Sequence, residues 1–234
     1  KKNYKRTAEW IPQTKALLIG SGAGMGVDSG LPDFRGKEGF WRAYPPLAER
    51  GLRFEEMANP RWFREDPELA WGFYGHRHEL YLKARPHRGY DILLDWESRY
   101  GITSFVYTSN VDGHFSRAGW KEERILECHG SLFRLQCMKA CGQPIWETEA
   151  DGPPIVEVCE TNLRAFPPLP RCPLCGNLAR PNLLMFSDFE WDASVKLAQE
   201  RRMRQWLYDH ADEDLTILEF GAGLSVPTVR LFCE

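Results

Sequence analysis

The sequence lacks the features that mark several specialised classes of protein. No apolar run approaches the roughly 18 residues that a membrane-spanning helix needs. Neither sign of charge dominates, because 30 Lys and Arg residues stand against 33 Asp and Glu residues. That balance argues against a protein built around nucleic-acid phosphates. With 43% hydrophobic and 27% charged residues, the chain is neither disordered nor fibrous, and its 234 residues suit one large domain.

A secretion signal and a disulfide framework are also missing from the sequence. The chain starts at Lys1 without an initiator Met and stops at Glu234 soon after a glycine-rich turn. We therefore expect a processed or trimmed chain. The chain has seven cysteines, an odd number that cannot all pair in disulfides, and no apolar signal segment precedes them. Both observations favour a cytoplasmic protein with reduced thiols over a secreted, disulfide-bonded one.

Short apolar runs alternate along the chain with segments of helical character. Strands are predicted at 16–19, 102–108, 124–128, 132–137, 183–186 and 215–220, and helices at about 66–84, 89–100 and 192–209. This alternation predicts an α/β fold, a Rossmann-like parallel sheet with helices on both faces. Ligands bind beyond the carboxyl ends of such strands. Distinctive loops follow Ile19, Tyr107 and Phe220.

The stretch 137–180 interrupts this alternation with two close pairs of cysteines. The pairs are Cys137 with Cys141 and Cys172 with Cys175. Four thiolates around one Zn²⁺ make a closed structural site, and the alternative is a set of buried free thiols. We predict one structural zinc ion in a small inserted module at 137–180. The main lobe then comprises 1–136 and 181–234, with a helical insertion at about 37–86. The other cysteines are predicted not to be ligands: Cys128, Cys159 and Cys233.

A glycine-rich loop follows the first predicted strand, from Gly20 to Gly26. Without side chains, its backbone amides could approach a pyrophosphate, although a tight strand–helix turn would need the same residues. The spacing does not match G-x-G-x-x-G, and no acidic residue stands about 20 residues on, where dehydrogenases bind the ribose. An ordinary hydride-transfer enzyme is therefore disfavoured.

Polar residues at predicted strand ends are candidates for chemistry. His129 could act as a general base near neutral pH, or it could be structural. Asn110 and Asp112 could bind a ligand, but both residue types also favour turns. Asp33 and Arg35 could form only a surface salt bridge, which contributes little to stability.

Six motifs follow one another along the chain: Gly22–Gly36 (GAGMGVDSGLPDFRG), Thr108–Asp112 (TSNVD), His129–Gly130, the two cysteine pairs, Arg180–Asp188 (RPNLLMFSD) and Gly221–Pro227 (GAGLSVP). In type and order they resemble those of the sirtuins, the NAD-dependent protein deacylases, and the resemblance runs from Ala16 onward. The resemblance implies a deacetylase or desuccinylase that releases nicotinamide and O-acyl-ADP-ribose. It implies NAD and one zinc as cofactors. The implied partner is an acyl-lysine protein. The lack of a long apolar run and the charge balance predict no membrane and no dedicated nucleic-acid partner.

The resemblance also implies roles for individual residues. His129 would accept a proton from the NAD ribose after the acyl oxygen attacks C1′ and nicotinamide leaves. Asn110 and Asp112 would be catalytic and would bind the nicotinamide and its ribose. The remaining implied cofactor-binding residues are Gly22, Ala23, Gly24, Asp33, Phe34, Arg35, Ser109, Gly221, Ala222 and Gly223. The implied residues for the peptide substrate are Phe186, Ser187 and Asp188.

Tyr74 and Arg77 lie three residues apart on a predicted helix and therefore share a face. In sirtuins that remove acidic acyl groups, a Tyr-x-x-Arg pair at this place binds the acyl carboxylate. The resemblance thus predicts a preference for succinyl- or malonyl-lysine over acetyl-lysine. The alternative is an amphipathic helix with Arg77 on its surface.

Several positions depart from the sirtuin pattern. Ser109 replaces a Gln, Gly26 and Gly223 replace Ser, Ala222 replaces Thr, and Ser187–Asp188 replace Gly-Glu. Two alternatives therefore stay open: a mono-ADP-ribosyltransferase or NAD hydrolase on the same scaffold, and a weakly active NAD-sensing or zinc-module interaction protein. Sirtuins continue beyond the point that corresponds to Glu234 toward the adenine, so no adenine-binding residue is assigned.

Overall fold

The computed structural model describes residues 8–32, 37–148, 152–224 and 226–234. The strands are β1 (Ala16–Ser21), β2 (Thr103–Thr108), β3 (Ile125–Glu127), β4 (Gly130–Cys137), β5 (Trp146–Glu147), β6 (Val158–Cys159), β7 (Arg164–Ala165), β8 (Ala179–Leu183) and β9 (Leu215–Phe220). The α-helices are α1 (Gly24–Val27), α2 (Lys37–Ala43), α3 (Pro45–Glu49), α4 (Phe54–Met57), α5 (Trp62–Glu65), α6 (Pro67–Lys83), α7 (Arg88–Tyr100), α8 (His114–Arg117), α9 (Ser194–Asp209) and α10 (Thr228–Cys233). Across these ranges, no helix combines the length and the apolarity that crossing a membrane requires.

The chain folds into two compact units. The first unit comprises the chain up to Ser29, Pro86–Cys128 and the chain from Lys196 on, and the second comprises Gly30–Arg85 and His129–Val195. These boundaries differ from those predicted at 136/137 and 180/181. The reason is that β4 pairs antiparallel with β8, so the flanks of the cysteine-bearing segment fold together with it. The helical insertion predicted at about 37–86 belongs to the same second unit.

A four-stranded parallel sheet of order β3-β2-β1-β9 forms the centre of the first unit. Side chains alternate between its two faces, as they must in a strand. Leu17 and Ile19 of β1 pack with Tyr90 and Leu93 of α7 on one face. Leu18 packs on the other face, in a cluster that also holds residues of α9 and α10: Met203, Trp206 and Val229. The predicted Rossmann-like sheet with helices on both faces is confirmed.

Local signals set the ends of α7. The Nδ1 atom of His87 accepts the amide of Gly89 over 2.9 Å at the start of the helix. Gly101 ends the helix in the left-handed conformation, with φ 64°, which glycine adopts without strain. The helix predicted at 89–100 is therefore confirmed to within one residue.

The second unit holds a three-stranded antiparallel sheet of order β5-β4-β8 and the hairpin β6–β7. Its longest helix, α6, begins where Asp66 accepts the amide of Leu69 over 3.2 Å, as the sequence predicts. Glycine allows the segment around the hairpin to approach α6 closely. A Cβ atom on Gly72 would lie 2.0 Å from the carbonyl oxygen of Leu163, and one on Gly75 would lie 2.3 Å from Val156.

The strand predicted at 183–186 is wrong, because β8 spans Ala179–Leu183. After Leu183 the chain leaves the ladder with β4. The amide of Leu184 donates to the carbonyl of His129 over 2.9 Å, and the amide of Phe186 donates to Ala58 over 2.9 Å. These long-range bonds end the strand within an apolar run that would otherwise favour its continuation.

Candidate functional site

Three loops meet at the carboxyl edge of the parallel sheet, because β1, β2 and β9 are neighbours that end at the same level. The amide of Gly24, after β1, donates to the carbonyl of Gly221, after β9, over 3.1 Å. The Nδ2 atom of Asn110, after β2, donates to the carbonyl of Gly22 over 3.0 Å. The structure thus brings together three of the segments that the sequence marks for a cofactor.

Only glycine permits the close approach of the β1 and β9 loops. A Cβ atom on Gly22 would lie 2.6 Å from the carbonyl oxygen of Gly221, and one on Gly24 would lie 2.8 Å from the Cα atom of Gly221. Gly221 itself has φ 61°. Backbone therefore dominates this edge, and its small residues would let a pyrophosphate approach the main chain. The residues present fit a dinucleotide cofactor, and Ala23, Ala222 and Gly223 lie on the same two loops.

The turn after β2 holds Asn110 in a defined direction. The Thr108 hydroxyl donates to the carbonyl of Ser21 over 3.2 Å and accepts the amide of Asn110 over 3.0 Å. Asn110 and Ser109 are buried. The Ser109 hydroxyl has no hydrogen-bond partner within the described part of the chain. The Ser109 side chain is too short to reach a partner among the described residues, so its hydroxyl is a buried polar group at this edge.

Asp112 follows Asn110 by two residues and is also buried. Its Oδ1 atom accepts the amide of His114 over 3.0 Å, which fixes the carboxylate at the start of α8. An amide and a carboxylate thus lie two residues apart in the turn at the carboxyl end of β2. Such a pair can bind the hydroxyls of a ribose and the carboxamide of a nicotinamide.

His129 lies in the second unit, directly before β4, and its side chain is half-buried. Its carbonyl accepts the amide of Leu184. Gly130 has φ 76°, and a Cβ atom there would lie 2.3 Å from the carbonyl oxygen of Asn182. The end of β8 therefore fixes the backbone that carries the imidazole, and no residue larger than glycine fits beside it.

The three residues predicted to bind peptide follow β8. Asp188 is buried in an ion pair with Arg180 and accepts the amides of Met185 and Glu190 over 3.3 Å. Its side chain thus stabilises the conformation of the loop. Phe186 and Ser187 lie on the same loop and are exposed. Sequence reasoning included Arg180 in a motif but gave it no role. Its complete burial was not readable from its neighbours in the chain.

Arg77 is only 6% exposed, so the alternative of a surface arginine on an amphipathic helix is wrong. Its Nη2 atom donates to the Tyr81 hydroxyl over 2.6 Å. Its guanidinium carbon lies 5.5 Å from the Phe73 ring centroid and 5.8 Å from that of Phe54. Sequence reasoning missed Tyr81, although its position four residues after Arg77 places it on the same helix face.

Tyr74 lies beside Arg77 and is completely buried. Its hydroxyl finds no hydrogen-bond partner among the residues that the structure describes, and burial raises its pKa. Phe54 also packs edge-on against Phe186, with ring centroids 6.0 Å apart. A continuous aromatic surface therefore joins the arginine to the predicted peptide-binding loop within the second unit.

The sulfur atoms of Cys137, Cys141, Cys172 and Cys175 all lie within 4.8 Å of one another. Tetrahedral zinc with Zn–S bonds of about 2.3 Å requires sulfurs about 3.8 Å apart, which this cluster can provide. Two N–H groups support the sulfurs: the Lys139 amide on Cys137 over 3.3 Å, and Asn177 Nδ2 on Cys175 over 3.2 Å. This four-cysteine cluster fits one structural zinc ion. Cys159 instead lies in the hairpin β6–β7, with its Sγ 3.1 Å from the Thr161 hydroxyl.

Asp33, Phe34 and Arg35, the remaining predicted cofactor residues, lie outside the described residues. A second group that sequence reasoning missed borders Asp112 in the first unit: His87, Tyr90 and His114. The two histidines carry no spacing motif, and a histidine two residues after Asp112 is the one sequence signal that could have drawn attention to them.

Comparisons with known proteins agree with this geometry. The model of the Sir2 family matches residues 22–206. An NAD-dependent protein deacylase of Pyrococcus abyssi is 34% identical over 197 residues, which cover 82% of this chain and 71% of that protein. NAD-dependent protein deacylase 2 of Pyrobaculum aerophilum is 34% identical over 195 residues, or 82% and 68% of the two chains. The crystal structure of a Sir2 homologue in complex with NAD is 28% identical, with a TM-score of 0.68 over 98% of this chain and 77% of that one.

Proposed function

The chain belongs to the Sir2 family, and from this we propose that it is an NAD-dependent protein-lysine deacylase that releases nicotinamide and O-acyl-ADP-ribose. The observation that carries the proposal is the meeting of three loops at the carboxyl edge of the parallel sheet, joined by bonds of Gly24 to Gly221 and of Asn110 to Gly22. The similar proteins of Pyrococcus abyssi and Pyrobaculum aerophilum are named NAD-dependent protein deacylases.

NAD would be held at these loops. The small residues after β1 and β9 would lie against its phosphates, and Asn110 and Asp112 would bind the nicotinamide end. The phosphate-facing residues in this proposal are Gly22, Ala23, Gly24, Gly221, Ala222 and Gly223. The sirtuin resemblance adds Asp33, Phe34, Arg35 and Ser109 around the nicotinamide and ribose. A solved Sir2 homologue binds NAD, which supports this assignment.

His129 would be the general base. Bound NAD supplies a ribose carbon that accepts the acyl oxygen once nicotinamide departs. His129 would then take a proton from a ribose hydroxyl, a step suited to an imidazole, whose ordinary pKa lies near neutrality. The end of β8 holds the backbone of His129 and Gly130 and so fixes the main chain from which the imidazole projects.

An acyl-lysine protein would be the partner, with its peptide bound along the loop after β8. An extended peptide can add to exposed backbone as a strand, and this mode tolerates changes of side chain such as Ser187 and Asp188. Phe186 would contact the peptide, and Asp188 would keep the loop in shape through Arg180. The near-neutral charge of −3 gives no reason to expect a nucleic-acid partner.

The acyl group would be acidic, with succinyl- and malonyl-lysine preferred to acetyl-lysine. A buried guanidinium at Arg77 and the Tyr74 hydroxyl would receive its carboxylate through charge-assisted hydrogen bonds. Such bonds are strong in apolar surroundings, and the rings of Phe54 and Phe73 supply those surroundings here. Phe186 extends the same aromatic surface toward the peptide loop.

We also place the protein in the cytoplasm, because thiolate ligands such as those of its zinc site persist where cysteines stay reduced. A second candidate function is transfer of ADP-ribose to a protein or to water. The observation that favours it is Ser109, whose short side chain leaves its hydroxyl buried without a partner in the described part of the chain.

Substitution of His129 tests the proposed enzyme. We expect His129→Ala to lower deacylation of an acetyl- or succinyl-lysine peptide by about a hundredfold or more, the contribution typical of a general base. NAD binding measured by calorimetry should change little. Equal turnover in wild type and variant would overturn the assignment of the base, and NAD binding without any turnover in the wild type would favour a sensor.

A further inference from the structure

A row of three polar rings, two buried and one half-buried, borders Asp112 in the first unit, and the proposed function makes no use of it. The row is formed by His87, Tyr90 and His114. The ring centroids of His87 and Tyr90 lie 4.9 Å apart, and those of Tyr90 and His114 lie 5.6 Å apart. The row runs from the segment after β1, which would face the phosphates of NAD, to the turn after β2, which would hold its nicotinamide end.

His87 anchors the row to the β1 loop. Its Nδ1 atom accepts the amide of Gly89 over 2.9 Å, so this nitrogen carries no proton. Its Nε2 atom lies 3.0 Å from the carbonyl oxygen of Met25 and must therefore donate. The amide of His87 also donates to the Ser29 hydroxyl over 3.1 Å. His87 is thus fixed as one neutral tautomer.

His114 lies at the other end of the row and has no exposed surface. Neither of its ring nitrogens, nor the Tyr90 hydroxyl, has a hydrogen-bond partner within the described ranges. A buried polar group without a partner destabilises the folded state, so such groups in native proteins call for a physical reason.

The carboxylate of Asp112 supplies that reason. Its Oδ1 atom accepts the amide of His114 over 3.0 Å, and its Oδ2 atom lies 3.9 Å from Nδ1 of the same residue. Residue 114 therefore flanks both oxygens, one with its main chain and one with its side chain. The second distance is about 1 Å longer than a hydrogen bond, which a small rotation of either side chain can close.

We propose that His114 is a positioning residue for Asp112: in the NAD-bound enzyme its neutral imidazole donates from Nδ1 to Oδ2 and fixes the carboxylate against the nicotinamide carboxamide. The inference rests on the proposed function, because it needs NAD at this edge. It differs from that function in assigning a residue that would contact neither cofactor nor substrate.

The electrostatic surroundings of His114 keep the imidazole neutral. Burial, together with smaller contributions from the positive charge of Arg117 and from the neighbouring His87, lowers its pKa to about 4. Tyr90 stays a neutral phenol, because burial raises its pKa and the Asp112 carboxylate adds to that effect. A neutral imidazole beside an ionised carboxylate can donate one proton without transferring it.

Two substitutions of His114 separate this role from a purely structural one. His114→Leu removes both ring nitrogens, whereas His114→Asn places an amide nitrogen where Nδ1 stood. We expect His114→Leu to weaken NAD binding and nicotinamide inhibition by about tenfold or more, the loss of one hydrogen bond to a charged group. His114→Asn should retain both within about threefold. Binding of ADP-ribose, which has no nicotinamide, should stay within about twofold in both variants.

Phe115→Leu is the matched control, because Phe115 is the next residue of α8 and packs against Tyr90 and Trp120. It should lower stability without changing the ratio of NAD affinity to ADP-ribose affinity. Equal losses of NAD and ADP-ribose affinity in His114→Leu would overturn the proposal, as would unchanged NAD affinity.

Nitrogen-15 NMR of the histidine rings in the wild-type protein gives a second readout that needs no variant. The Nδ1–H proton of His114 should shift downfield and become protected when NAD is added, but not when ADP-ribose is added. No change with bound NAD overturns the proposal. If the wild type binds neither ligand, the proposed function itself fails, and that outcome is distinct from a failure of His114.

Discussion

The amide of Gly24 donates to the carbonyl of Gly221 over 3.1 Å, and this bond joins the loop after β1 to the loop after β9. The two glycines come from opposite ends of the chain and meet because their strands are parallel neighbours. Their contact is backbone against backbone. This backbone contact at the edge of the sheet leaves room for a cofactor. It leaves no room for larger side chains at the two glycines.

Gly221→Ala should therefore separate the two loops. The new Cβ atom would lie 2.1 Å from the Met25 nitrogen, in addition to the strain of alanine at φ 61°. We expect NAD affinity to fall more than about tenfold, equivalent to 1.4 kcal/mol, as measured by calorimetry.

Gly101→Ala provides the control. Gly101 has φ 64°, but beyond its chain neighbours no atom of the described residues lies within 4 Å of the place that an alanine Cβ would occupy. Only left-handed strain of about 1 kcal/mol is therefore expected. Equal effects on NAD affinity from both substitutions would contradict the contact argument.

The sequence was sufficient to predict features with local causes. Four such features depend only on neighbours in the chain: the glycine loop after β1, the N-cap at Asp66, the end of α7 at Gly101 and the cysteine spacing. The end of β8 at Leu183 and the burial of Arg77 depend instead on pairing with distant segments. The hydrophobic periodicity of the sequence does not predict contacts between distant segments. The packing of His114 against Tyr90 likewise emerges only once α8 is placed beside α7.

Arg77→Met should change the choice of acyl group. The substitution keeps the volume among Phe54, Phe73 and Tyr81 but removes the charge that would receive a carboxylate. We expect the ratio of desuccinylation to deacetylation to fall at least about tenfold, the loss of a charge-assisted hydrogen bond. A panel of acetyl-, succinyl- and malonyl-lysine peptides followed by mass spectrometry measures it.

Tyr81→Phe is the companion variant, because it removes only the hydroxyl that accepts from Arg77. The same ratio should fall by a smaller factor, since the charge remains. An unchanged ratio in Arg77→Met would show that this arginine does not recognise the acyl carboxylate.

Cys175→Ser should remove the structural zinc and lower the melting temperature, because metal binding to the four thiolates contributes directly to folding. Metal analysis should give one zinc per chain in the wild type and much less in the variant. Cys159→Ser, outside the cluster, should keep its zinc and its melting temperature. Retention of zinc by Cys175→Ser would contradict the assigned ligand set.

His78 makes stability depend on pH. It is 1% exposed, and burial lowers its pKa to about 4. An unfolded histidine has a pKa of about 6.5, so between these values the unfolded state binds more protons. Its contribution to stability is present above about pH 6.5 and is lost as the pH falls toward 4.

His78→Gln tests this dependence by urea unfolding at a series of pH values. The variant should show a shallower loss of unfolding free energy below about pH 6.5, by up to about 1.4 kcal/mol per pH unit for one proton. His114, whose pKa is also lowered, makes the unfolding free energy depend on pH in the same direction in the wild type and in the variant. Parallel curves for wild type and variant would refute the role of His78.

The stoichiometry of products tests the central claim most directly. The wild-type protein, supplied with NAD and an excess of acyl-lysine peptide, should form nicotinamide, deacylated peptide and O-acyl-ADP-ribose in equal amounts, measured by mass spectrometry. Nicotinamide released with free ADP-ribose or ADP-ribosylated protein, while the peptide keeps its acyl group, would contradict a deacylase and indicate ADP-ribose transfer or NAD hydrolysis instead.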